Sequence, residues 1–281
     1  MSIYLVGEIG INHSGDVEIA KKIAWYAKDA GFDAVKTQIR EIDEVYTQEF
    51  LDSPRESPWG TTHRHQKEGL ELTCEEYEEF DRYCKEIGIA WSASCWDQTS
   101  FKWFSRQFDP PFHKIASPML GHKPFLRQVA AERKMTFIST GMSRLEEIDE
   151  VVNLFREARC PFTLLHCCST YPMPENQANL LMLPRYAARY GPETPLGYSG
   201  HEVCLVKVCC AAIALGATVI ERHLTLDRTS YGSDQAASIE CSHLRDFVAT
   251  MREIPGILGD GEKQVTPSEW AARIKLRKEV E

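Results

Sequence analysis

The stretch Ala30-Gly31-Phe32-Asp33-Ala34-Val35 joins a helical stripe to an apolar run through one glycine. The same joint recurs at Ile87-Gly88-Ile89-Ala90-Trp91 and at Leu215-Gly216-Ala217-Thr218-Val219-Ile220. Glycine suits that place because a helix commonly ends on a left-handed residue, where a Cβ is penalised. Working outward, Ala20, Ile23, Ala24, Ala27 and Ala30 recur at helical spacing, as do Tyr77, Phe80, Cys84 and Ile87, and Leu145, Ile148, Val151, Val152 and Phe155. Thr73-Cys-Glu-Glu76 and Ser143-Arg-Leu-Glu146 read as capping boxes that open two of these helices. Between the stripes lie eight strand-like runs: 3–8, 33–39, 89–94, 112–116, 136–140, 162–166, 194–198 and 218–224. Eight strand-and-helix units with right-handed crossovers close most simply into an α/β (β/α)8 TIM barrel, expected as a single domain over 1–281.

Composition narrows the function classes. A hydrophobic content of 43% and a charged content of 26% suit a globular core. A formal net charge of −9 argues against a nucleic-acid partner, because phosphate neutralisation needs a basic face. No apolar stretch is long enough for a membrane span, and the N-terminus lacks the basic region of a signal peptide. The ten cysteines show no CxxC or zinc-type spacing, so they read as small buried hydrophobes in a reducing, cytoplasmic setting. Two regions break the rhythm. Residues 40–72 form a long excursion after strand 2, on the face where barrels carry chemistry, and residues 262–281 form a charged tail.

Barrel active sites lie at the C-terminal ends of the strands, and here nearly every strand delivers a polar group to that end. Lys36 and Gln38 share one face of strand 2 while Val35, Thr37 and Ile39 share the other, so Lys36 should point inward. A lysine inside a barrel is costly unless an anion meets it. Lys36 and Lys114, with Ser117, Ser139 and the turn at Gly141, therefore describe a phosphate or carboxylate cradle. His201 and His223 close adjacent strands 7 and 8 and could converge on one divalent ion. His13, His63, His65 and His166 read first as packed or loop residues, and His113, His122 and His243 as structural. Cys167 and Cys168 have no identifiable activating base.

These segments resemble the sialic acid synthase (N-acetylneuraminate synthase) family. Glu8-Ile-Gly-Ile-Asn-His-Ser-Gly looks like its opening motif and Asp33-Ala-Val-Lys-Thr-Gln like its second strand. Lys114-Ile-Ala-Ser, Ser139-Thr-Gly-Met, Leu165-His-Cys, Tyr171-Pro, Gly197-Tyr-Ser, Glu221-Arg-His and Gly259-Asp-Gly follow in order. The resemblance implies that phosphoenolpyruvate is condensed with an aldehyde sugar, N-acetylmannosamine-like or related, to give a 2-keto-3-deoxy ulosonate and phosphate by C–O cleavage. It implies that Lys36, Gln38, Lys114, Ser117, Ser139, Ser169 and Ser199 hold phosphoenolpyruvate and neighbouring substrate atoms, and that Glu8, Tyr171 and Asp234 face the sugar. His201 and His223 would bind Mn²⁺ or Mg²⁺, and a homo-oligomer is the family expectation. The family pattern is altered at Ser117-Pro118-Met119, where an acidic residue is usual, at Ser199-Gly200-His201, where an aspartate is usual, and at Gly232-Ser233-Asp234-Gln235. The reading is of the catalytic barrel only, lacking the C-terminal antifreeze-like domain that gives a partner's sugar site an arginine. A Schiff-base keto-acid aldolase using Lys36 or Lys114, and a non-catalytic anion-binding barrel or partner subunit, are the alternatives.

Overall fold

The computed structural model describes residues 2–278. Its frame is a closed parallel barrel of β1 (Tyr4–Gly10), β2 (Ala34–Ile39), β3 (Ala90–Cys95), β4 (His113–Ile115), β5 (Thr136–Ser139), β6 (Phe162–His166), β7 (Leu196–Gly200) and β8 (Val219–Thr225). Each strand pairs with the next in sequence, and β8 pairs back onto β1. The eight expected strands are all present, with ends shifted by one or two residues in most of them. A two-residue segment, Ile239–Glu240, extends the β8 edge and had no periodic signal to announce it.

Helices α1 (Val17–Ala30), α2 (Cys74–Ile87), α3 (Gln98–Phe108), α4 (Lys123–Ala131), α5 (Leu145–Glu157), α6 (Met182–Tyr190), α7 (Lys207–Ala214) and α8 (Leu244–Leu258) follow the strands in turn. Gly31 and Gly88 cap α1 and α2 with φ of 96° and 71°, as their place in the joint requires. Thr73 and Glu76 form the expected reciprocal cap. The second expected box is displaced by one residue. Glu147, not Glu146, accepts from the Arg144 amide at 2.7 Å, because Ser143 turns back and donates to the Gly141 carbonyl.

Strand alternation divides the barrel interior into two zones. Tyr4, Val6, Ala34, Phe112, Phe137, Leu165 and Val219 fill the N-terminal half, with Phe112 and Phe137 rings 4.5 Å apart. Two residues further along the same strands, the inward positions become Glu8, Lys36, Lys114, Ser139, Cys167 and Glu221. The apolar plug leaves the ionic end nothing to face but the barrel mouth. The residues between, such as Leu5, Val35, Ile138 and Ile220, face the helices in the main core.

The excursion after β2 is not structureless. It holds three short helices, Ile42–Val45, Gln48–Asp52 and His63–Leu70, and a small antiparallel hairpin of Pro54–Ser57 with Gly60–Thr62. In the charged tail, Thr266 caps a further helix, α9 (Pro267–Leu276), and the last three residues of the tail lie outside the described ones.

Candidate active site

The C-terminal mouth of the barrel encloses a cavity of about 300 Å³. Its wall includes Glu8, Lys36, Gln38, Lys114, Ser117, Ser139, Ser169, Tyr171, Ser199, His201, His223 and Asp234, so all twelve residues singled out in the sequence come together. Register explains much of this. Glu8 on β1 lies level with Lys36 on β2 and with His223 on β8, while Glu221 lies level with Ser199 on β7.

At the floor, charge is balanced within the protein. Lys36 is 2% exposed, makes a close ion pair with Glu8, donates to Ser94 Oγ at 3.0 Å and lies 3.9 Å from Glu221. Lys114 Nζ stands 3.2 Å from Glu221 Oε1, which also accepts from Ser199 Oγ at 2.9 Å. Burial lowers the Lys36 amine to about 7, against the opposing pull of Glu221. Burial would raise the Glu221 carboxyl, but Lys114 and then Lys36 outweigh it and hold the group below its ordinary range. Glu8 Oε1, Ser139 Oγ and Glu221 Oε2 are buried with no hydrogen-bond partner among the described residues. Folded proteins rarely leave such atoms unpaired, and here they share a cavity with two lysines.

Beside the floor lies a cradle. The Gly141 amide donates to Ser117 Oγ at 3.0 Å and to Cys167 Sγ at 3.2 Å. A Cβ at position 141 would sit 2.8 Å from that hydroxyl and 2.9 Å from that sulfur, so glycine is needed for the approach. Cys167 is held as a thiol by burial, which raises its pKa. Ser117-Pro118-Met119 forms a single 3₁₀ turn with Met119 buried, so position 119 adds no carboxylate to the cavity.

The two histidines meet on the opposite wall. Their ring centroids are 5.4 Å apart, and Tyr171 lies against His201 with centroids 4.1 Å apart. His201 Nδ1 is 2.7 Å from the Cys168 carbonyl, which can only accept, so Nδ1 carries the proton and Nε2 a free lone pair. His223 Nδ1 is buried with no hydrogen-bond partner among the described residues, 3.6 Å from Asp234 Oδ2. Burial, with His223 adding to it, lowers His201 to about 4; burial and then Lys36 lower His223 to about 3. Both rings are therefore neutral near pH 7, the form that ligates metal. Among the described residues no three His, Cys, Asp or Glu side chains stand close enough to cage an ion. Two neutral imidazoles with Asp234 nearby fit an open site completed by substrate and water oxygens, not a closed structural one.

Several wall residues were given no role in the sequence reading. Glu221 had a usable signal, since it precedes His223 by two on one strand and must share its face. Arg40 follows Gln38 by two in the same way; it stacks on Trp96 at 4.5 Å and pairs with Glu71 at 2.8 Å. Lys67 and Tyr46 come from the excursion, with the ammonium 5.1 Å from the ring, and no periodicity marks them. The weaker histidines lie elsewhere. His63 packs on Phe50, His166 bonds the Ala178 carbonyl, His113 pairs with Glu132, and His122 caps α4.

Comparison with known proteins agrees with the barrel fold. N-acetylneuraminate-9-phosphate synthase from Mus musculus is 36% identical over 279 residues, covering 99% of this chain and 77% of that protein. N,N'-diacetyllegionaminic acid synthase from Legionella pneumophila subsp. pneumophila is 29% identical, covering 100% of this chain and 80% of that one. The crystal structure of N-acetylneuraminic acid (sialic acid) synthetase from Leptospira borgpetersenii, in complex with citrate, superposes with a TM-score of 0.86 at 28% identity, covering 99% of this chain and 94% of that one. Residues 24–263 match the profile of the NeuB family. With that match running through seven of the eight barrel strands, β2 to β8, the chain belongs to the NeuB family.

Proposed function

We propose that this chain condenses phosphoenolpyruvate with the aldehyde of an N-acetylmannosamine-like sugar, giving a sialic-acid-like 2-keto-3-deoxy ulosonate and inorganic phosphate. The observation that carries this reading is the buried row Lys36–Glu221–Lys114 beside the Ser117–Gly141 cradle. Two ammonium groups and a set of hydroxyls in one cavity suit a ligand whose carboxylate and phosphate sit side by side. The relatives are named as synthases of sialic acid phosphate and legionaminic acid, which supports a carbon–carbon bond-forming transferase.

The residues divide the work. Lys36 and Lys114 neutralise the donor, and Ser117, Ser139 and Ser199 orient it with C3 toward the histidine wall. His201 and His223, with Asp234 close by, would hold a divalent ion, Mn²⁺ or Mg²⁺, which when bound supplies Lewis-acid polarisation of the aldehyde oxygen. C3 attacks the aldehyde carbon and the new C–C bond forms as C2 becomes electron-poor. Glu221, ionised between the lysines, stabilises that developing positive charge. Water adds at C2 and one of its protons passes by way of a cavity carboxylate to the former aldehyde oxygen, which took the carbonyl π pair in the attack. The C2–O bond to phosphorus then breaks, the remaining hydroxyl proton leaves with the phosphate as C2=O forms, and phosphate departs against the lysines. Gln38 and Tyr171 face the acceptor side. Ten unpaired cysteines support a reducing, cytoplasmic setting, and no helix among the described residues is long and apolar enough to cross a membrane.

Phosphate release from phosphoenolpyruvate across a panel of aldoses, with and without Mn²⁺, tests the reading. Release that requires both an aldose and the metal is the expected result. A lysine adduct trapped by borohydride with a keto acid would replace the mechanism with Schiff-base aldol chemistry. No release with any aldose would leave an anion-binding barrel.

A further inference from the structure

β8 presents two sides. Glu221 and His223 face the cavity, so Arg222 between them faces outward, where it is 1% exposed. Its guanidinium forks onto Glu202, the residue after His201. Nη1 donates to Oε1 at 2.9 Å and Nη2 to the Glu202 main-chain carbonyl at 2.6 Å. Nη1 also reaches the Cys204 carbonyl at 3.2 Å, which ties down the start of the loop toward α7. The other Glu202 oxygen accepts from the Tyr198 hydroxyl at 2.8 Å, and Glu202 is 0% exposed. Gly200 makes the room, because a Cβ there would come within 2.6 Å of Glu202 Oε2. The bare position 200 thus has a local reason: an acidic side chain already fills that space from position 202.

Such a pair is a poor stabiliser. Desolvating two charges consumes most of what their attraction returns, and apolar replacements are often as stable. What a planar guanidinium fork does provide is fixed geometry between the segments it bridges. Those segments carry His201 and His223, each directly bonded in sequence to one member of the pair. We propose that Arg222 and Glu202 are positioning residues that set the separation and tilt of the two imidazoles, now 5.4 Å and 56°, and thereby the affinity of the site for a divalent ion. The inference rests on the reading of His201 and His223 as metal ligands. Neither Arg222 nor Glu202 lines the cavity, so they act through the histidines and not on substrate.

The test is calorimetric titration of the metal-stripped whole chain with Mn²⁺. Glu202→Gln and Arg222→Lys should each raise the Mn²⁺ Kd about tenfold or more, the usual effect of losing a contact behind a metal ligand. Turnover should recover toward the wild-type value at saturating Mn²⁺, with the KM for phosphoenolpyruvate unchanged. Asp81→Asn, which weakens a buried contact with Trp91 between α2 and β3, should lower the melting temperature without moving the Kd. Folded Glu202 and Arg222 variants with wild-type Mn²⁺ affinity overturn the proposal and leave the pair a structural one. Should neither variant fold, Tyr198→Phe removes one hydroxyl from Glu202 and keeps the ring; it should raise the Kd in the same direction, and an unchanged Kd overturns the proposal. A wild-type chain that binds no Mn²⁺ overturns the metal reading itself, and this inference with it.

Discussion

Glu221 Oε1 lies 3.2 Å from Lys114 Nζ at the floor of the cavity, with each side chain 3% exposed. Removing one partner of a buried pair strands the other charge, at a cost of about 3–5 kcal/mol. Glu221→Gln leaves Lys114 without that partner and Lys36 with less opposing charge. A loss of about 3 kcal/mol would lower the melting temperature by roughly 6–12 °C in anion-free buffer. Added phosphate should recover more of that loss in the variant than it adds to the wild type. Equal phosphate effects in the two proteins, read by calorimetry, would remove the floor from the anion site.

His223→Ala should abolish metal-dependent phosphate release while the circular dichroism spectrum stays that of the native fold. The imidazole is buried and its Nδ1 has no hydrogen-bond partner among the described residues, so its loss removes a ligand and breaks no Nδ1 hydrogen bond. Chelation of the wild-type enzyme should reproduce the defect, and added Mn²⁺ should reverse it only in the wild type. Unimpaired turnover in the variant would refute the metal assignment.

Gly141→Ala should fill the cradle. Its Cβ would come 2.8 Å from Ser117 Oγ and 2.9 Å from Cys167 Sγ, with Ser169 Oγ closer still. The KM for phosphoenolpyruvate should rise on the order of tenfold, equivalent to about 1.4 kcal/mol, with the aldose KM little changed. A rise confined to the aldose KM would place the donor elsewhere in the cavity.

His13 gives a pH dependence of stability away from the cavity. Burial, helped by the charge of Arg40, lowers its pKa to about 4 from an ordinary value of 6.5. As pH falls below 6.5 the unfolded chain takes up the proton first, so this contribution is whole above 6.5 and is lost progressively down to about 4. It amounts to on the order of 3 kcal/mol. His13→Asn keeps a side-chain acceptor for the Gly15 amide, now 3.1 Å from Nδ1, and should flatten the difference between urea unfolding at pH 7 and at pH 4.5. Parallel slopes in the two proteins would show that His13 is not the group responsible.

Much of the site was legible because a strand has a period of two. Once Val35, Thr37 and Ile39 are given to the helices, Lys36 and Gln38 must face inward, and they do. The same rule applied to β8 would have found Glu221 from His223. Arg40 extends the β2 alternation past the end of the strand, where the pattern no longer binds. Lys67 and Tyr46 could not be read this way. They reach the cavity from short helices whose placement depends on contacts such as Gln66 with Tyr231, 165 positions away.

The sequence by itself determined the barrel and the inward face of each strand, because glycine joints and alternating side chains are local consequences of backbone geometry. It also carried the family resemblance, since the motifs stand in order along the chain. Tertiary structure alone decided how the charges are shared. Pairing of β1 with β2 on one side and closure of β8 onto it on the other bring Glu8 level with both Lys36 and His223, and the lysines of β2 and β4 meet one carboxylate from β8. Those contacts join residues far apart in the chain, and Coulomb energy depends on distances in space that no local pattern records.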